Sequence, residues 1–229
     1  MIRITAMKWA PPFAAGQVRD HRVRWVLREV GWPYAVRLLG APDMKSAEYR
    51  RAQPFGQVPV LEEDGRPPLF ESGAVVLDVA TRAGQLLPAD PGERALATCW
   101  VIAALNSIEP SLMNVAEVAY FTQDTAQKAA RRPVVEAAAR TRLRELQDAL
   151  GTRTWIVGDD FSVADLMLSS VLKIAHRLEL LDGLEALQAY TARCWERPAH
   201  REAIAEQCAT IDAHQLQDMH YEALKQKQA

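Results

Sequence analysis

The chain is short of cysteine, of net charge and of long uninterrupted apolar runs. Its three cysteines, Cys99, Cys194 and Cys208, are odd in number, far apart and embedded in helical patterns, which suggests neither a metal cluster nor a redox pair. They read as buried, reduced thiols. The 27 basic and 29 acidic residues nearly cancel, giving a formal charge of −2 and a pI near 6.2. Arg19, Arg22, Arg24 and Arg28 are dispersed among acids, so there is no polycationic face for nucleic acid. No apolar run reaches the length needed to cross a bilayer, and Met1 leads straight into a strand-like segment with no signal-peptide core. These features suggest a cytoplasmic protein with no membrane partner. What is present is ample core material: 229 residues, 49% of them hydrophobic, enough for one large or two small domains.

The amino-terminal part alternates element types. Met1 to Ala6 alternates Ile2 and Ile4 with polar neighbours, as a strand of a half-buried sheet does. A loop rich in proline and small residues follows. From about Gln17, Val18, Trp25, Val26, Leu27 and Val30 recur at helical intervals, with Gly31 and Pro33 as the stop. Tyr34 to Leu39 reads as a second strand and Ser46 to Arg51 as a short helix. Val60 to Glu63, the tight turn Asp64-Gly65 and Leu69-Phe70 form a hairpin. A third helix runs from Ser72 to about Ala83, with Gly84 just past its end.

Downstream of the compact linker Pro88-Ala89-Asp90-Pro91-Gly92 the pattern becomes all-helical, with segments at about 93–121, 134–150, 162–181 and 184–207. Pro110 falls inside the first of these and should kink or split it. Residues 215–229 are polar and read as a frayed helix or a tail. The expected organisation is residues 1–87, a linker at 88–92 and a helical domain over 93–229.

Two motifs stand out. In Phe55-Gly56-Gln57-Val58-Pro59-Val60-Leu61, a proline interrupts an apolar run just before a strand, which suits an edge or a cis turn. A cis bond after Val58 would turn the Val58 amide and carbonyl outward, free to pair with an extended peptide. Glu71-Ser72 then opens a helix, where free amides and the helix dipole favour a carboxylate. A ligand with a peptide-like middle and a carboxylate end would satisfy both. Far downstream, Ser162-Val163-Ala164-Asp165 is a capping-box variant at the head of an apolar helix, and that structural role explains both polar residues.

The Gln-Val-Pro turn, the Glu-Ser helix start and the Ser-x-x-Asp box about a hundred residues later resemble the cytosolic-type glutathione transferase family over most of the chain. The order strand, helix, strand, helix, hairpin, helix is that of a thioredoxin-like domain. The resemblance implies an α/β thioredoxin-like domain with a mixed four-stranded sheet, followed by an all-α bundle. It implies reduced glutathione as co-substrate, no metal, a small hydrophobic electrophile, detoxification chemistry and a homodimer.

By the same resemblance Val58 pairs with the cysteinyl unit, beside Pro59, while Glu71, Ser72 and Gln57 serve the γ-glutamyl end and Lys45 the glycyl carboxylate. The family's electrophile pocket lies between the domains, which brings in Trp9, Phe13, Asn106, Met113, Asn114 and Tyr120. In one respect the chain departs from the family. The Tyr, Ser or Cys that usually activates the thiol is absent, since none occurs between Ala6 and Arg24. Alignment on the apolar pattern puts Gln17, Val18 and Arg19 at that place. The expected activators are backbone amides near Gly16 and Gln17 first, then the Gln17 side chain, then Arg19, with Lys8, Trp9 and His21 further back. The leading expectation is a transferase. A glutathione-dependent peroxidase or isomerase, or a non-catalytic binding protein, are the alternatives.

Overall fold

The computed structural model describes residues 1–214 and resolves into two compact units. The first comprises Met1–Ala83 with the stretch from Pro198, and the second Gly84–Arg197.

Strand β1 (Ile2–Met7) pairs in parallel with β2 (Tyr34–Leu39) in the register Ile2↔Tyr34 to Met7↔Leu39. On its other side it pairs antiparallel with β3 (Val60–Glu63), Ile4 opposite Leu61, and β4 (Leu69–Phe70) completes the order β2-β1-β3-β4. The sheet is therefore mixed and four-stranded, as expected. The hairpin turns at Asp64-Gly65, where Gly65 takes φ +78° and Arg66 N–H closes onto the Glu63 carbonyl at 3.1 Å.

The alternation in β1 suggests one solvated face, yet Ile4, Thr5 and Ala6 are all buried. A central strand is covered on both sides, and Thr5 is tolerated there because its hydroxyl is hydrogen-bonded.

Helix α1 (Asp20–Glu29) begins about three residues later than the periodicity suggests, because Pro11–Gln17 is held in turns by Ala14 and Ala15 N–H on the Pro11 carbonyl and Gln17 N–H on the Ala14 carbonyl. It buries Val23, Trp25, Val26 and Leu27. After β2 come α2 (Ala41–Lys45), which the sequence reading lacks, and α3 (Ala47–Ala52), whose N-cap Ser46 accepts from Tyr49 N–H at 3.1 Å. The Asp43 carboxylate accepting from Gly40 N–H at 2.8 Å stabilises the extra turn. Helix α4 (Ser72–Ala83) has the expected bounds and packs on α1.

All elements of the second unit among the described residues are helical. Asp90 caps α5 (Pro91–Ala103) by accepting from Glu93 N–H at 2.9 Å. A π-helical turn, Ala104–Ile108, then leads into α6 (Glu109–Tyr120). Pro110 has no N–H for the Asn106 carbonyl, so the regular ladder is interrupted there and the wider turn splits the expected helix in two. By length and composition the 30-residue stretch Pro91–Tyr120 would pass as a membrane span, contrary to the sequence reading. Its Val101, Ala104, Ile108, Leu112 and Val115 are buried, and it packs on α7 and α8 as a bundle helix.

Helix α7 (Thr125–Leu150) starts nine residues before the expected 134, with exposed Pro133 inside it, because Asp124 supplies a cap to Gln127 N–H at 2.9 Å. Helix α8 (Val163–Arg177) follows the Ser162 cap.

The segment expected as one helix over 184–207 is two, α9 (Glu185–Trp195) and α10 (Pro198–Ala213). Pro198 ends one ladder and suits the first turn of the next. The break matters because α10 packs on α1 in the first unit, whereas the sequence reading grouped it with residues 93–229. Arg24, fully buried, bridges Asp20 at 2.7 Å and Glu206 of α10 at 2.6 Å. Arg28 adds Glu202 and Glu206, and Gln207 donates to both Asp20 and the Val18 carbonyl. None of the three cysteines forms a disulfide, and of the three expected to be buried Cys194 is buried, Cys208 half-buried and Cys99 exposed. The tail assigned to 215–229 lies outside the described residues.

Candidate functional site

The two amino-terminal motifs meet in the first unit, at one end of its sheet. Gly56 sits at φ +66° with the Met44 carbonyl where a side chain would stand, since a Cβ there would lie 2.6 Å from that oxygen. Only glycine permits this approach. It presses the end of α2, and with it exposed Lys45, against the turn that carries Gln57 and Val58. The Val58-Pro59 bond is cis, Pro59 is buried, Val58 is half-buried and the Gln57 side chain is exposed. Among the described residues, no turn or ladder hydrogen bond reaches the Val58 amide or carbonyl. The backbone there can add a short strand-like partner.

Glu71 precedes α4 in the left-handed region at φ +67°, and its carbonyl accepts the first helical bond, from Val75 N–H at 2.9 Å. Its side chain is exposed, while Ser72, next in sequence, is buried. Arg22 of α1, 1% exposed, donates from Nη1 to the Ser72 hydroxyl at 3.2 Å. A guanidinium thus stands behind the serine at a helix N-terminus, and all three contributions favour an anion. In the sequence Arg22 is one dispersed charge among acids. Nothing in the local pattern marks it, because the contact spans fifty residues.

The segment Lys8–Arg19 runs from the end of β1 to the start of α1. The Gln17 backbone amide, one of the expected activators, is bonded to the Ala14 carbonyl at 2.9 Å, and its side chain is half-buried. Arg19 is the half-buried residue that precedes α1. His21 turns Nδ1 onto the Val18 carbonyl at 2.9 Å, a local packing contact. Within the first turn of α1, burial raises the Asp20 carboxyl while Arg24 and Gln207 work to lower it, and the net shift is upward. Trp9 and Phe13 are half-buried in the same loop. Of the other expected pocket residues, Asn106 lies in the π turn and Met113, Asn114 and Tyr120 on α6, all in the second unit. Met113 and both asparagines are exposed, and Tyr120 is half-buried.

Ser162 and Asp165 form the expected capping box, which is more heavily bonded than the motif alone suggests. The Asp165 carboxylate accepts from Ser162 N–H at 2.9 Å, the Ser162 hydroxyl at 3.0 Å, Ile156 N–H at 2.8 Å and the Tyr190 hydroxyl at 2.7 Å. Among the described residues, no group of three or more His, Cys, Asp and Glu is arranged to hold a metal ion.

Comparison with known proteins identifies the family. Residues 20–82 match the model of the glutathione S-transferase N-terminal domain, and residues 111–206 that of the C-terminal domain. Glutathione S-transferase GST-4.5 of Xanthomonas campestris pv. campestris is 30% identical over 177 residues, covering 73% of this chain and 84% of the relative. Glutathione S-transferase GstA of Escherichia coli O157:H7 is 28% identical over 164 residues, covering 69% and 77%. Among solved structures, a glutathione transferase from Burkholderia graminis, with two glutathione molecules bound per subunit, superposes with a TM-score of 0.77 at 25% identity, covering 89% of this chain and 87% of that one. The chain belongs to the glutathione transferase family.

Proposed function

We propose that this protein binds reduced glutathione at the Val58–Ser72 site, holds its sulfur as a thiolate and directs it at a small hydrophobic electrophile. The observation that carries the reading is the pairing of an open Val58 backbone with the Arg22-backed Ser72 hydroxyl at the head of α4. The γ-glutamyl carboxylate takes the Ser72 hydroxyl and the first α4 amides, and Glu71 faces the ligand's amine. The cysteinyl unit pairs with Val58, and Gln57 and Lys45 reach the two ends.

The sulfur is then brought toward the segment before α1, where the Gln17 side-chain amide and Arg19 take the role of the missing hydroxyl. A thiol of ordinary pKa about 8.5 needs roughly 1.4 kcal/mol of preferential thiolate stabilisation for each unit it is lowered, within reach of one or two such contacts. The bond formed is carbon–sulfur, and the electrophile's leaving group departs with the electron pair. The chain is taken to act in the cytoplasm as a homodimer.

An ultraviolet titration of bound glutathione against pH tests this, with free glutathione as reference. A bound thiol pKa clearly below the free value supports the transferase. Saturable binding with an unshifted pKa leaves a binding protein, and no saturable binding overturns the reading.

A second reading has one observation in its favour, the two glutathione molecules held by each subunit of the Burkholderia relative. Two glutathiones and a peroxide ROOH give glutathione disulfide, ROH and water, with both sulfurs oxidised and the peroxide bond reduced. Peroxide-dependent disulfide formation in the absence of any carbon electrophile would establish it.

A further inference from the structure

We infer that Tyr49 is a positioning residue for the ligand: through its hydroxyl it fixes the Gln57–Val58 peptide and thereby aims the Val58 amide. This rests on the glutathione reading and adds a residue that no motif names.

Three hydrogen bonds run in one direction from β3 through β1 to the turn. Val60 N–H donates to Thr5 Oγ1 at 2.8 Å, Thr5 and Tyr49 hydroxyls lie 2.9 Å apart, and Tyr49 Oη lies 2.6 Å from the Gln57 carbonyl. A carbonyl has no proton, so Tyr49 must donate to Gln57. Its single proton is thereby committed, and Thr5 must donate to Tyr49 while accepting from Val60. Each hydroxyl both gives and receives, which leaves the order of the chain no freedom.

The Gln57 carbonyl and the Val58 N–H belong to one planar peptide, and in a trans peptide they point in opposite directions. The cis bond is the next one, Val58-Pro59. Holding the carbonyl inward on Tyr49 therefore turns the Val58 N–H outward, away from the Thr5–Tyr49 pair. The ring of Tyr49, 2% exposed, packs with Leu39 and Val60 in a cluster that also touches the Val58 side chain, so both ends of the arrangement are anchored. Burial raises the Tyr49 hydroxyl above its ordinary pKa, with the Thr5 bond acting the other way, so it remains a donor throughout the working range.

Two measurements test the role, and they separate its failure from that of the glutathione reading. The first is the NMR order parameter of the Val58 amide, which needs no ligand. It should fall in Tyr49→Phe and in Thr5→Val, and return toward wild type in Thr5→Ser, which keeps the hydroxyl. The second is titration calorimetry with glutathione and with an analogue whose cysteinyl carbonyl is replaced by a methylene group. Tyr49→Phe should weaken glutathione about tenfold while leaving the analogue unchanged, because the analogue has no acceptor for the Val58 amide.

An unchanged Val58 order parameter, or equal loss for both ligands, overturns the positioning role. A lowered order parameter in a protein whose wild type binds no glutathione keeps the peptide-orienting role and overturns the glutathione reading instead.

Discussion

Arg22 donates to the hydroxyl of Ser72 across 3.2 Å, and both side chains are buried. A serine hydroxyl has one proton and two acceptor sites. With an acceptor site held by the guanidinium, the proton is directed outward, where a carboxylate can receive it. Ser72→Ala removes that donor, and a hydrogen bond to a charged group is worth about 1.5–3 kcal/mol, so glutathione affinity should fall by about tenfold or more. Lys45→Ala should cost less, because an exposed cation acts through screened solvent. Titration calorimetry on both variants decides the matter, and equal affinities for wild type and Ser72→Ala would remove the assignment.

The same contact predicts coupling between the two residues. If Arg22 works on the ligand through Ser72, Arg22→Gln should weaken glutathione binding severalfold in the wild-type background and much less in Ser72→Ala. A double-mutant cycle gives the interaction directly. Strict additivity would mean that Arg22 contributes only to the packing of α1.

These residues also mark where sequence reading stops. Glycine, proline and capping signals are local, and they located the hairpin at Asp64-Gly65, the bounds of α4 and the turn before β3. Val58, Pro59 and Ser72 could be singled out for the same reason. Arg22, Thr5 and Tyr49 could not, since each acquires its role from a partner forty-four or more residues away. Alternation in β1 suggests a half-solvated strand, but alternation cannot reveal that Tyr49 covers Thr5 from the far side. Helix ends went astray for a related reason. The periodic segment expected from 134 is extended upstream to Thr125 by the Asp124 cap, whereas Pro198 divides a periodic run into two helices that belong to different units.

The docking of α10 on α1 should weaken in acid. Burial pushes the Glu206 carboxyl up, but hydrogen bonds from Tyr34 and Arg28 and the charges of Arg24 and Arg28 outweigh it and hold the carboxyl below its usual 4.5. A carboxyl lowered in the folded state contributes stability above its unfolded pKa, and that stability is lost as pH falls through the folded value. Asp20, raised in the same cluster, has the opposite sign, because the folded protein takes up its proton more readily. Glu206→Gln isolates the first contribution. Trp25 of α1 meets His200 of α10 edge-on at 4.6 Å between ring centres, so its fluorescence reports the docking. Wild type should lose the docked signal below about pH 4.5, with the variant's signal less dependent on pH there. Matching acid profiles for the two proteins would rule out Glu206 as the cause.

Asp165 should govern the stability of the helical unit without touching the glutathione site. Its carboxylate is fully buried and receives four donors, two backbone N–H groups and the hydroxyls of Ser162 and Tyr190. Burial raises its pKa despite those bonds, and the same burial pushes the Tyr190 hydroxyl well above its ordinary value. Asp165→Ala leaves these donors without an acceptor, and each stranded buried group costs about 1–3 kcal/mol, so a loss of about 3 kcal/mol or more is expected. Tyr190→Phe removes one donor and leaves the carboxylate three others, so its cost should be nearer 1 kcal/mol. Thermal unfolding of the two variants gives the ratio. Glutathione affinity, measured well below either midpoint, should match wild type, and a selective loss of affinity in a fully folded Asp165→Ala protein would show that this carboxylate does more than hold the head of α8.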